Sequence, residues 1–127
     1  MRYLLDTHTL IWFLENDPRL SSKSKELIED NYNDIFVSVV SLWEINIKIS
    51  IGRLSLTKSL SDIISELERL YIEILPLSNE HIVGIGKLPF HHRDPFDRML
   101  ISQSLSEILP LISKDQNIQL YNADVIW

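Results

Sequence analysis

Apolar and polar positions along this chain fall into short alternating blocks. Tyr3-Leu4-Leu5 is a brief apolar run stopped by Asp6, and Asp34-Ile35-Phe36-Val37-Ser38 is another; both read as buried strands. Leu10, Trp12, Phe13 and Leu14 predict a helix over Thr7–Leu14 after the first strand. Asp17-Pro18 marks a turn. Ser21 and Ser22 can then cap a helix running to about Asn31, with Lys23, Lys25, Glu26 and Glu29 on its wet side. Leu60, Ile63, Ile64, Leu67 and Leu70 give Thr57–Leu70 helical spacing, and Tyr71–Pro76 reads as a strand stopped by proline. Ser78-Asn79 opens a short helix through Ile82, Val83 and Ile85. Asp94-Pro95-Phe96-Asp97 opens another, whose Leu100, Ile101, Leu105 and Ile108 are expected to face a core. Leu109–Ser113 is the last clear strand, and Val125-Ile126 adds an edge strand. One segment stands apart. Trp43, Ile45, Ile47, Ile49 and Ile51 alternate with Glu44, Asn46, Lys48 and Ser50, a period of two rich in β-branched residues, which on its own predicts a strand.

Strands alternating with helices predict an α/β fold, a central parallel sheet with helices on both faces. At 127 residues, with 45% apolar and 24% charged residues, the chain matches one soluble domain spanning 1–127. The absence of Cys excludes a disulfide scaffold, a thiolate metal site and a cysteine nucleophile. No apolar run approaches the ~18 residues of a membrane span, and the apolar run before Asp6 is too short for a signal peptide. A soluble, cytoplasmic protein without a membrane partner is the expectation. A formal charge of −6 argues against a broadly basic nucleic-acid surface, so a polyanionic ligand needs cations gathered locally. The same charge suits a basic or amphipathic protein partner.

In parallel sheets, ligands sit at the carboxyl ends of the strands. Asp6 directly follows the first strand, and Asp115 comes just after Leu111-Ile112-Ser113. Either could simply cap the helix that follows. Asp94, with Pro95 at the first helical position, is fully explained as a cap. Asp97, three residues on, is explained less well, because a capping box prefers the longer Glu or Gln. Glu44 on a strand would be one of four wet-face residues. On a helix it interrupts an apolar stretch, where a buried charge needs a partner or a metal. Two carboxylates ~5 Å apart repel by roughly 3 kcal/mol at an effective dielectric of ~20, so a cluster of them calls for cations. An all-oxygen, Cys-free set matches Mg²⁺ or Mn²⁺ rather than Zn²⁺, and such ions bind phosphate and activate water. His91-His92 could join a metal cluster or be a solvated loop pair. No Gly-rich phosphate loop is present.

The stretches Leu4-Leu5-Asp6-Thr7-His8, Ser38–Ile45 (with Leu42-Trp43-Glu44), His91-His92-Arg93-Asp94-Pro95-Phe96-Asp97-Arg98 and Leu111-Ile112-Ser113-Lys114-Asp115 together resemble the PIN-domain family. More narrowly they resemble its compact VapC-type ribonuclease toxins of type II toxin–antitoxin pairs. The resemblance covers essentially the whole chain, and the His-His-Arg-Asp-Pro-Phe-Asp-Arg stretch is its most specific part. It implies that Asp6, Glu44, Asp97 and Asp115 gather at one end of the sheet and bind Mg²⁺ or Mn²⁺, with Asp94 as a supporting cap. It implies an endoribonuclease that hydrolyses RNA phosphodiester bonds, a homodimer, and a cognate VapB-type antitoxin wrapped near the acids. It also implies a helix from Val40 to Ile51, against the period of two. Arg93, Arg98 and Lys114 could contact flanking phosphates or simply be solvated. The alternatives are a housekeeping RNA-processing nuclease without an antitoxin, and a nucleic-acid-binding module that does not cleave.

Overall fold

Five strands, all parallel, form one sheet in this computed structural model, which describes residues 1–127. They are β1 (Arg2–Leu5), β2 (Asp34–Ser38), β3 (Glu73–Leu75), β4 (Leu111–Ile112) and β5 (Val125–Ile126), in the order β3-β2-β1-β4-β5. Leu4 of β1 pairs with Phe36 on one side and Leu111 on the other, and Leu5 pairs with Val37 and Ile112. Successive side chains of a strand point to opposite faces. The apolar runs therefore feed two cores. Tyr3, Leu5, Ile35, Val37 and Ile112 lie in one, and Leu4, Phe36 and Leu111 lie in the other.

Six helices accompany the sheet: α1 (Thr7–Leu14), α2 (Ser22–Glu29), α3 (Val39–Ser50), α4 (Leu60–Arg69), α5 (Asn79–Ile85) and α6 (Pro95–Glu107). The first core is closed by Leu10 of α1, Ile28 of α2, Leu42 and Ile45 of α3, and Ile63 and Leu67 of α4. The second is closed by Leu100 and Ile101 of α6 with Leu109, Ile118 and Tyr121. Helix α5 packs on α6 so closely that a Cβ on Gly84 would meet Ser102 Oγ at 2.5 Å. No helix is long and apolar enough to cross a membrane.

Every helix starts on a side-chain cap: Asp6, Ser21, Ser38, Ser59, Ser78 and Asp94 each accept a backbone N–H of the first turn. Each such cap is worth about 1 kcal/mol. The expected helix from Thr57 begins later, at Leu60. Thr57 is instead drawn to Glu15, which accepts from its N–H at 2.9 Å and its hydroxyl at 2.7 Å.

Two readings of the hydropathy pattern fail. The period-two segment is helical, as the family resemblance implied. Its apolar residues consequently point all round the axis: Leu42 and Ile45 into the core, Trp43 and Ile51 into solvent. In α6, Leu100 and Ile101 are fully buried, but Leu105 and Ile108 are exposed. Ile108 terminates the helix in the left-handed region, φ 54°. That turn advances the phase by one residue, so Leu109 enters the core in its place, held by bonds between Ser104 and the Leu109 backbone.

Candidate metal centre

The carboxyl ends of β1, β2 and β4 are adjacent, and the elements that leave them carry three of the expected acids. Asp6, directly after β1, is buried. Its Oδ1 accepts the Thr9 N–H at 2.8 Å as the α1 cap, and its Oδ2 accepts the Ser113 hydroxyl. Burial pushes the Asp6 carboxyl up, and the bonds from Ser113 and Thr9 offset part of that. Ser113 Oγ also accepts the Asp115 N–H at 3.0 Å, so one buried hydroxyl ties the chain after β4 to the acid after β1. Asp115 Oδ1 accepts from Asn117 N–H at 2.7 Å and Ile118 N–H at 3.3 Å, and its Oδ2 makes no hydrogen bond.

Glu44 stands in the second turn of α3, with only 3% of the residue exposed. Its Oε1 accepts the Thr7 hydroxyl at 2.7 Å, and its Oε2 pairs with Lys48 Nζ at 2.7 Å. Thr7, neighbour of Asp6 in sequence, thus joins the glutamate of α3 to the start of α1. A charge at this depth is tolerated because both oxygens are satisfied.

Because α6 leads into β4, its amino end lies at the same edge of the sheet. Asp94 caps it, Oδ1 accepting from Phe96 N–H at 2.9 Å and Asp97 N–H at 3.0 Å. Trp43 of α3 meets Phe96 edge-on, 5.4 Å between ring centroids, which holds α3 against this end. Asp97 Oδ2 lies 3.3 Å from His92 Nε2. Asp97, like Asp6, is strongly perturbed. Burial first, then the charges of Asp94, Asp115, Glu44 and Asp6, push its carboxyl up to about 8. The four expected acids therefore share one electrostatic field, which together with burial favours the neutral form of Asp97.

The donors have the chemistry of a hard divalent cation site, since all are carboxylate oxygens and a cation among them would relieve the repulsion on Asp97. They do not stand in a closed coordination shell: no three acid or imidazole groups converge tightly enough to hold an ion as arranged. Lys48 occupies Glu44, and Ser113, Thr9 and Thr7 bind the oxygens of Asp6 and Glu44. The arrangement fits a cation by donor type and charge, with Lys48 as the internal cation that would have to yield.

Lys48 and Tyr121 were not foreseen as site neighbours, and the surroundings of His92 and Arg98 were left open. Lys48 lies one turn from Glu44, a pairing legible once the segment is known to be helical. His92 is not a solvated loop residue: Tyr121 Oη lies 2.9 Å from its Nδ1, and its other nitrogen faces Asp97. His91 does remain exposed. Nothing in the sequence signals the bond between His92 and Tyr121, 29 positions apart. Arg98, considered above as a phosphate contact, is buried. It donates to Pro89 O, Ile85 O and Tyr121 Oη and lies 4.0 Å over the Phe90 ring, so it braces the loop before α6. Arg93 and Lys114 are exposed.

A pocket of about 340 Å³ opens beside Asp6 and Asp115, with His8, Trp12, Arg19 and Lys114 as its other walls. The largest cleft, about 620 Å³, lies at the opposite edge of the sheet, lined by residues such as Asn33, Asp34 and Ile72, far from the acids. Charge and hydrogen-bonding geometry, not size, mark the candidate site.

Comparison with known proteins gives a consistent picture. The family model described as "PIN domain" matches residues 3–124. No curated protein matches the chain. Among solved structures, VapBC2 from Rickettsia felis, bound to a DNA fragment from its promoter, is 20% identical with a TM-score of 0.73. That match covers 100% of this chain and 99% of the other. VapBC-1 from nontypeable Haemophilus influenzae is 19% identical, TM-score 0.66, covering 99% and 97%. FitAcB from Neisseria gonorrhoeae is 17% identical, TM-score 0.68, covering 100% and 97%. At these identities the likeness is one of fold.

Proposed function

The chain belongs to the PIN-domain family, whose members are nucleases, and on that premise we propose that it is a Mg²⁺- or Mn²⁺-dependent endoribonuclease acting as the toxin of a toxin–antitoxin pair. The observation that supports the reading is the Asp97 carboxyl, pushed up to about 8 by burial first and then by the charges of Asp94, Asp115, Glu44 and Asp6. Asp6, Glu44, Asp97 and Asp115 would hold the cation. Bound there, it supplies Lewis-acid polarisation of a phosphoryl oxygen and makes water nucleophilic near neutral pH.

The remaining residues act by orientation. Ser113 and Thr9 fix the two oxygens of Asp6, and Thr7 fixes one oxygen of Glu44. His92, set by Tyr121, aims at Asp97 Oδ2. Asp94 holds the first turn of α6 so that Asp97 projects from it. Lys48 balances the charge of Glu44 and would have to give way for Glu44 to hold a cation. Arg93 and Lys114, exposed near the acids, are the candidates for flanking phosphates, which an acidic chain must meet with local cations.

The toxin assignment rests on the family resemblance, on structural neighbours that are VapBC and FitAB assemblies, and on exposed apolar surface. Trp43 and Phe90 are exposed beside the candidate site, and Val83, Leu88 and Leu105 line a groove between α5 and α6. Surfaces of this kind suit a second copy of the chain and an amphipathic antitoxin segment. The test is induction of the chain alone and together with any small reading frame adjacent to its gene, followed by sequencing of RNA 5′ ends. Growth arrest with discrete new 5′ ends, relieved by such a frame, is expected. Purified protein that leaves RNA intact in Mg²⁺ and in Mn²⁺ would refute the nuclease. Cleavage without arrest would refute only the toxin.

A further inference from the structure

The pocket beside Asp6 and Asp115 has two unlike sides. Its inner wall is the pair of carboxylates, and its outer wall is His8, Trp12, Arg19 and Lys114. The outer wall is organised. His8 and Trp12, one turn apart on α1, lie with ring centroids 5.8 Å apart and planes 30° from parallel. Trp12 is fixed by an edge-on contact with Trp127 at 5.7 Å. Arg19 lies over the Trp12 ring at 5.0 Å. Asp17 binds the Arg19 Nε at 3.1 Å and Nη2 at 2.7 Å, which leaves Nη1 to donate elsewhere. Lys114 is exposed between Ser113 and Asp115.

Two aromatic rings, two cations and a cavity of about 340 Å³, at the small end of ligand sites, make a seat for a planar group bearing negative charge. Proteins read single-stranded RNA this way, stacking bases on aromatic rings and guanidinium planes while cations track the phosphates. We infer that this pocket binds one unpaired nucleotide of the substrate strand, its base stacked on the His8–Trp12 pair and its phosphate facing Arg19 and Lys114. The inference rests on the ribonuclease reading for its choice of RNA. It adds a source of sequence preference next to the acids.

The experiment is equilibrium binding of a fluorescent single-stranded oligoribonucleotide in Ca²⁺, by anisotropy, compared with the same oligomer carrying abasic positions. Trp12→Leu keeps an apolar contact to Trp127 and removes the stacking ring. Arg19→Gln removes a charge from a side chain that is 64% exposed, leaves the Trp12 ring in place, and so guards against a misfolded Trp12 variant. Trp12→Leu is expected to weaken the normal oligomer about tenfold and the abasic oligomer little. Arg19→Gln should make the salt dependence shallower by about 0.7 in log–log slope for the lost phosphate contact. Wild-type protein that does not bind the oligomer overturns the inference. So do equal affinities of wild type and both variants, and so does an equal Trp12→Leu loss on normal and abasic RNA. Base-dependent binding by a protein that fails to cut RNA in Mg²⁺ or Mn²⁺ would uphold the nucleotide seat and refute the nuclease, so the two failures are distinguishable.

Discussion

Asp97→Asn should stabilise the metal-free protein while destroying its activity, and the stabilisation should grow with pH. In the folded chain the Asp97 carboxyl is raised from its ordinary 3.8 to about 8. Between those values the native state binds a proton that the unfolded state has lost. Stability therefore falls as pH rises from about 4, and levels off above about 8. The full displacement sets an upper bound of about 5–6 kcal/mol. The Asp97 side chain is still 19% exposed, and rotation of the acids and counter-ions will relax part of the repulsion. About 2–3 kcal/mol is the working figure, close to 10 °C in Tm for a domain of this size. The assay is thermal melting of wild type and Asp97→Asn in EDTA, from pH 5 to pH 8.5. The wild-type Tm should drop across this range relative to the variant, and Mn²⁺ should close the gap by stabilising wild type more. Parallel pH curves in EDTA would show that Asp97 does not sit in a shared acid field, and the electrostatic argument would fail.

Asp94→Asn should retain much of the cleavage activity, since Asn also caps a helix well, whereas Asp97→Asn should lose most of it; rates of RNA cleavage decide, and equal losses would contradict the division between cap and ligand. Ser113→Ala should lower stability by about 1–3 kcal/mol, because Asp6 Oδ2 and the Asp115 N–H both lose their buried partner; denaturant unfolding measures it. The chain should self-associate at micromolar concentration through exposed apolar surface such as Val83 and Leu105, and Leu105→Glu should shift it toward monomer in sedimentation analysis.

How far the sequence could be read depended on the range of the contacts involved. Asp6 and Asp115 were legible as strand-end acids because short apolar runs end on them, and the caps Ser21, Ser78 and Asp94 were legible from local chemistry. The α3 segment was not legible from its period. Its alternating isoleucines satisfy a strand pattern, and they are accommodated in a helix only because one side meets the core and another stays exposed. Family resemblance supplied what periodicity could not. Ile108 was misplaced because a left-handed residue shifts the helical phase, which no hydropathy pattern records. Arg98 and His92 were misjudged for a third reason. Both are held by Tyr121, and a contact spanning more than twenty residues leaves no local trace.

The central claim is that these four carboxylates are a divalent-cation centre. It is tested most directly by titrating Mn²⁺ into wild-type protein at pH 7 by calorimetry, in two buffers of different ionisation enthalpy. A ligand whose carboxyl titrates at about 8 must give up its proton to bind the ion. Saturable binding with proton release is expected, and with Asp97→Asn a weaker affinity and about one proton fewer released per ion. Absence of saturable Mn²⁺ binding, or binding with the same affinity and the same proton count in wild type and Asp97→Asn, would contradict the claim.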